Sequence, residues 1–305
     1  MTTLPGSSPR GRERSASQPS PAAGLGPLHG VHGVILDVDG VLLDATVSYH
    51  AVAEEAARRA IARLVGEERA RAVPFDRKTE VAAFKAAGHF NDDWEMARGI
   101  ALLLYLRALG AAPLLAHFLE SAHGQGVSGL YRDRTFSDEV HAALEEKAIA
   151  RSCSELYGGD RCRALFGFDW TGEGYWQRET LLADATVLQE VAGRFRLALF
   201  TGRNPGEARL ALERTGLSIP DDFCWVADGR PRKPDPAGLI WLTQALLKDA
   251  PQGAQVLFVG DTADDQTAAQ AAQVRGAPMV YAHIEAPGDT TRVLRQLLAA
   301  AGEKP

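Results

Sequence analysis

Asp37 and Asp39, two carboxylates two residues apart, close a short apolar run and are followed by Gly40. Downstream, a second apolar run ends in Thr201-Gly202-Arg203, and a lysine stands in Arg232-Lys233-Pro234-Asp235-Pro236. A third run ends in Gly260-Asp261-Thr262-Ala263-Asp264-Asp265. Brought into one crevice, these carboxylates could not all ionise without a countercharge, because each raises the pKa of the next. A divalent cation supplies it. An oxygen-only donor set without His or Cys favours a hard ion, and Mg²⁺ commonly takes one or two carboxylates while keeping waters and phosphate oxygens as its other ligands. A lysine, a hydroxyl and exposed backbone N–H groups beside such an ion suit a phosphoryl group, whose charge is spread in the transition state. Gly40, lacking a side chain, lets a substrate approach the backbone. The chemistry expected is phosphoryl transfer.

The elements that must position these residues are legible from periodicity. The run Gly33-Val34-Ile35-Leu36 reads as a buried strand leaving a sheet through a turn at Asp37. Helical periodicity, rich in Ala, Leu, Glu and Arg, follows over 48–65, 78–87, 93–109, 137–152 and 155–166, with no strand pattern in that middle region. After about residue 179, helix and strand alternate. Helices are expected at 181–193, 205–215, 235–248 and 264–274, and strands at 196–200, 223–226, 255–259 and 278–281. Such alternation implies a parallel sheet covered on both faces, to which the strand near residue 35 must also belong. The fold class expected is therefore α/β: a Rossmann-like parallel sheet core with an inserted all-helical domain. Open parallel sheets bind ligands at the carboxyl ends of their strands, where every residue named above lies.

The chain has 305 residues, enough to bury a core without staples. Lys plus Arg is 33 and Asp plus Glu is 39, a net charge of -6 without a large single-sign block. That excludes an affinity built on nucleic-acid phosphates or anionic lipid. Cys153, Cys162 and Cys224 form no CxxC and no metal-ligand spacing, so a reducing cytoplasm is expected. Half of residues 1–30 are Pro, Gly or Ser, which reads as a disordered tail, and its basic residues precede no long apolar segment, so no export signal is expected. The richest apolar stretch, 100–106, is broken by Arg107 and cannot span a membrane. The expected division is a tail at 1–30, an α/β core at 31–46 with 179–305, and a helical cap at 47–178.

DVDGVLLD after the first strand, then LALFTGR, KPDP and VLFVGDTADD, in that order, resemble the four motifs of the haloacid dehalogenase (HAD) superfamily, over about residues 31–285. Each motif alone is weak, since a DxD is more often a turn and KPDP a helix start. Four in order at four strand ends are specific. The resemblance implies that Asp37 is the nucleophile of an aspartyl-phosphate and Asp39 the general acid/base. It implies Mg²⁺ held by Asp37, the Asp39 backbone carbonyl and Asp261, with Asp265 or Asp264 in support, Thr201 on phosphoryl oxygens, and Lys233 pairing with phosphate and Asp37. Gly202 and Arg203 are substrate-binding candidates; many relatives with this cap type carry Asn directly after the motif Ser/Thr, where Gly202-Arg203 follows here, and Arg203 could instead cover the following helix. Asp39 disfavours dehalogenation, because halide leaves without protonation.

The insertion sits where a type 1 cap sits in subfamily IA, and Lys85-Ala86-Ala87-Gly88-His89-Phe90-Asn91-Asp92-Asp93-Trp94 resembles a KxxGxxNDDW element of that subfamily. Asn91 and Asp92 are accordingly substrate-binding candidates; as a helix start, Asp92 would be a cap with acids at the positive end of the dipole. Residues 124–129 satisfy GxGxxG by letter but lack the strand-turn-helix context and read as a flexible loop. His141 reads as a surface residue. Trp170, Tyr175 and Trp176 could line an entrance or simply pack. The expected function is a Mg²⁺-dependent phosphatase for a small phosphorylated metabolite. The alternatives are a phosphomutase or a non-catalytic phospholigand-binding module. Substrate identity and oligomeric state are not legible.

Overall fold

A computed structural model describes residues 28–87, 90, 92–111, 113–132 and 134–302. Most of the expected tail, 1–27, and the candidate Asn91 lie outside the described residues. The chain begins with β1 (Val31–Leu36) and the two-residue β2 (Leu43–Asp44). Nine helices then run without an intervening strand among the described residues: α1 (Tyr49–Val65), α2 (Glu67–Ala72), α3 (Arg77–Ala86), α4 (Asp93–Ala108), α5 (Leu115–Glu120), α6 (Gly126–Arg132), α7 (Asp138–Ala143), α8 (Glu146–Gly158) and α9 (Cys162–Phe166). Alternation follows, through β3 (Thr180–Leu181), α10 (Ala185–Arg194), β4 (Arg196–Phe200), α11 (Pro205–Thr215), β5 (Cys224–Trp225), α12 (Ala237–Leu247), β6 (Gln255–Gly260), α13 (Ala263–Val274), β7 (Met279–His283) and α14 (Asp289–Gly302).

The main sheet is parallel, in the order β5-β4-β1-β6-β7, so β1 does belong with the C-terminal strands and lies at their centre. Its continuous apolar run is explained by cover on both faces. Val34 and Leu36 pack with Leu199, Leu257 and Val259 beneath α10, α11 and α14, whereas Ile35 packs with Phe200, Val256 and Phe258 beneath α12 and α13. The helices between β2 and β3 have a separate core, centred on Phe84, Phe90, Ile100, Leu103 and Tyr157. The chain leaves and returns through one place, where β2 and β3 pair antiparallel (Leu43 with Leu181).

Helix starts follow side-chain caps that free the sequence from propensity alone. Asp92 accepts from Trp94 N and Glu95 N to start α4, and Asp184 from Thr186 N and Val187 N to start α10. Asn204 with Glu207, and Thr262 with Asp265, form reciprocal capping boxes at α11 and α13.

Three expectations are corrected. The pattern over 137–152 is two helices broken at Leu144–Glu145, because Glu145 caps a new start through Ala148 N; α8 then continues through the expected break to Gly158. The Gly-rich 124–129 segment is not a loop throughout: Gly126 opens α6, and Gly129 is packed so closely on Ala122 that a Cβ would overlap its carbonyl. Residue 181, expected to open a helix, belongs to the strand β3, and the helix starts at Ala185. Among the described residues no helix is long and apolar enough to cross a membrane, and the three cysteines are buried and unpaired. His141 is exposed, and Tyr175 and Trp176 pack against the helical core, whereas Trp170 is exposed.

Candidate active site

Parallel register gathers the four segments. Leu36 is level with Leu199 of β4 and Val259 of β6, so Asp37, Thr201 and Asp261 all lie just beyond the same edge of the sheet. Asp37 N donates to Val259 O at 3.0 Å, which fixes the backbone at the first carboxylate. Beyond it the chain turns sharply: Leu42 N and Leu43 N both donate to Val38 O, and Gly40 N donates to Leu43 O. Gly40 has φ +74°, and a Cβ there would overlap Asp261 Oδ2, so this turn needs glycine both for its backbone and for the carboxylate beside it.

Asp37 is 4% exposed, and its Oδ1 accepts from Val38 N at 2.7 Å. Lys233 Nζ reaches between two carboxylates, 2.9 Å from Asp37 Oδ2 and 2.6 Å from Asp265 Oδ1. The other oxygen of Asp265 accepts from Thr262 N and Thr262 Oγ1, so the α13 capping box orients a residue of the site. Asp37, Asp261 and Asp265 each bring a carboxylate oxygen within 4.8 Å of the others. Of the two acids left open by the sequence, Asp265 is the one in the cluster; Asp264 is not part of it.

Three carboxylates thus share one ammonium. Burial, and then the neighbouring Asp265, push Asp261 up to about 7. Burial likewise drives Asp37 well above the ordinary carboxylate range, opposed by Lys233 and reinforced by Asp265, Asp261 and Asp39. For Lys233 burial alone would favour the neutral amine, but Asp37 and Asp265 hold it as an ammonium above its usual value. Asp261 Oδ1 is buried with no hydrogen-bond partner. An excess of hard oxygen donors, short of positive charge and with one orphaned carboxylate oxygen, fits a divalent ion such as Mg²⁺.

Asp39 and Thr201 occupy different surroundings. Thr201 is buried, its N donating to Trp225 O and its Oγ1 accepting from Arg203 N. Asp39 lines a cleft of about 160 Å³ together with Tyr49, Asp92, Trp94, Gly202, Arg203 and Glu207. The candidates Gly202 and Asp92 therefore face the same space as Asp39, and Asp92 Oδ2 is 3.3 Å from Arg232, next to the site lysine. The cap reading of Asp92 is observed, through its other oxygen, and the residue also lines the cleft.

Arg203 is buried, not splayed over the helix after it. Its guanidinium meets Asp39, Glu179 and the Tyr157 hydroxyl. Glu179 and Tyr157 were invisible as site residues from sequence: they are 24 and 46 residues from Arg203, a separation that no motif encodes. Glu207 was missed as well. Burial pushes its carboxyl up to about 7, and its Oε1 lacks a hydrogen bond of normal geometry. The only sequence signal for it was the Asn-Pro-x-Glu helix start.

A family model for haloacid dehalogenase-like hydrolases matches residues 31–273. No curated protein matches the chain significantly. Among solved structures, a phosphatase from Thermococcus thioreducens superposes with a TM-score of 0.63 at 20% identity, covering 88% of this chain and 99% of its own. An X-ray structure from the Northeast Structural Genomics Consortium gives 0.53 at 17% identity, with 88% and 100% covered. At these identities the likeness is one of fold.

Proposed function

Since the chain belongs to the haloacid dehalogenase-like hydrolase family, we propose that it is a Mg²⁺-dependent phosphomonoester hydrolase for a small phosphorylated metabolite, working through an aspartyl-phosphate on Asp37. The observation that carries this reading is Lys233 held between Asp37 and Asp265, with an oxygen of Asp261 in the same cluster. Residues 31–46 with 179–305 would form the catalytic unit, and 47–178 a cap of the subfamily IA kind closing over the cleft.

Asp37, Asp261, Asp265 and the Asp39 backbone carbonyl would hold Mg²⁺, which when bound supplies the positive charge that lets a phosphoryl dianion enter a carboxylate-lined pocket. The Asp37 carboxylate attacks phosphorus, and the bond to the ester oxygen breaks as Asp39 gives that oxygen its proton. Asp39 then takes a proton from water as the water attacks the phosphoaspartate, which frees Asp37 and inorganic phosphate. Lys233 and Thr201 bear on the phosphoryl oxygens, where charge spreads in the transition state. Asp265, fixed by Thr262, keeps Lys233 from collapsing onto the nucleophile alone.

Phosphate release from an aryl phosphate and a panel of metabolite phosphates, with Mg²⁺ and with EDTA, tests this. Turnover that needs Mg²⁺ and is lost in Asp37→Asn and Asp39→Asn supports it. Binding without turnover would favour the non-catalytic module, and an isomeric sugar phosphate in place of free phosphate would favour the mutase.

A further inference from the structure

Arg203 carries a role that its place after the Thr201 motif does not announce. Its side chain is only 1% exposed, yet it reaches the half-open Asp39. Nη2 donates to Asp39 Oδ1 at 2.7 Å and Nε donates to the same oxygen at 3.1 Å, while Asp39 Oδ2 receives only a long 3.4 Å contact from Nε. The two oxygens of one carboxylate are therefore unequal. Oδ1 carries the two shorter bonds and Oδ2 only the longest, on a residue that lines the cleft.

The clamp is itself anchored. Nη2 also donates to Glu179 Oε1 at 2.9 Å, and Nη1 donates to the Tyr157 hydroxyl at 3.0 Å. The same Glu179 oxygen accepts from Tyr157 Oη at 3.1 Å and from Ser48 Oγ at 2.9 Å. Ser48 precedes α1 where the chain enters the helical region, Glu179 precedes β3 where it returns, and Tyr157 lies on α8 within that region. A planar fork with five fixed donors can hold three partners at once in one orientation, which a lysine's rotating ammonium cannot do.

We propose that Arg203 is a positioning residue for leaving-group protonation: by holding Asp39 Oδ1 against an anchor of Glu179 and Tyr157, it presents Oδ2 to the ester oxygen. This rests on the phosphatase reading and deepens it. Arg203 touches no substrate in this role; it acts through Asp39.

A positioning role can be told from a structural one by the leaving group. An alkyl phosphate needs its departing oxygen protonated, whereas p-nitrophenolate leaves well without a proton. The experiment compares kcat/KM for an alkyl phosphate and for p-nitrophenyl phosphate, in the full chain with Mg²⁺, for wild type, Asp39→Asn, Arg203→Lys and Glu179→Gln. General acid assistance is typically worth 10²–10⁴-fold, so Arg203→Lys is expected to lose on the order of 10–100-fold on the alkyl ester and only a few-fold on the aryl ester. Glu179→Gln, which keeps the shape of the anchor, is expected to show the same bias at smaller size and carries the test if Arg203→Lys does not fold. Equal losses on both esters in the folded variants would overturn the inference while leaving the hydrolase standing. Wild type releasing phosphate from neither ester would remove the phosphatase reading and the inference with it.

Discussion

At the scale of single residues the molecule keeps its acidic groups in two unlike settings. Asp37 is sealed among Asp261, Asp265 and Lys233, while Asp39 stands at the cleft with its charge met by Arg203. Asp37→Asn should therefore lower kcat by at least about 10³-fold in a phosphate-release assay, as removal of a nucleophile does elsewhere. Glu207 offers a test free of catalysis. Its folded pKa of about 7 is raised by burial above the ordinary carboxylate value, so the folded protein holds that proton more tightly than the unfolded chain. The stability this contributes is complete below the unfolded pKa and is lost as pH rises through about 7. Glu207→Gln keeps an oxygen for the α11 capping box but cannot ionise. Its melting temperature relative to wild type should climb between pH 5 and pH 8; a constant difference would contradict the assignment. Asp37, Asp261 and Asp265 were legible in the sequence because an apolar run leads into each of their motifs, and Lys233 because Lys-Pro-Asp-Pro falls in order between those motifs. Glu179, Tyr157 and Glu207 were not, because contacts between residues far apart in the chain leave no spacing in it.

At the scale of elements, turns and helix starts do the positioning. The turn after β1 brings Gly40 against Asp261, so Gly40→Ala meets two penalties. The left-handed backbone costs about 1–2 kcal/mol for a residue with a Cβ, and the overlap displaces a member of the carboxylate cluster. Activity should fall far more than stability, measured as kcat against the urea midpoint of the same protein. At α4, Asp92→Ala should lose about 1 kcal/mol with the cap. Asp92→Asn should retain that energy, because the Arg232 pair it breaks is solvent-exposed and such pairs contribute little. A KM that rises in Asp92→Asn at unchanged stability would place this side chain on the substrate. Element types were readable wherever a segment was long and capped: α11 and α13 are found where Asn204-Pro205 and Thr262 announce them. The strands β2 and β3 were not readable, since two residues show no alternation and only the pairing of Leu43 with Leu181 defines them. Likewise α6 hides behind glycines, of which Gly124 and Gly126 make the turn with positive φ and Gly129 packs closely on Ala122.

At the scale of the whole molecule, an ion bound at the carboxylate cluster would link its own binding to folding. An ion that binds only the folded chain adds about 2.7 kcal/mol at a hundred times its Kd. Thermal unfolding with saturating Mg²⁺ against EDTA should show a clear rise in melting temperature in the wild type, and little or none in Asp261→Asn. A rise of equal size in that variant would place the ion elsewhere. The overall architecture was legible because β–α alternation leaves few topologies, and the strand near residue 35 had no other partners than those after residue 179.

The central seat of β1 bears on the chain while it is being synthesised. Its apolar residues leave the ribosome with Asp37 attached, yet both neighbouring strands are made only after the whole helical insertion. For that interval neither strand that flanks β1 in the folded sheet has been made. Asp37 meets Asp261 and Asp265 only when residues 261–265 have emerged and β6 has paired alongside β1, so a chain stalled earlier would lack the carboxylate cluster.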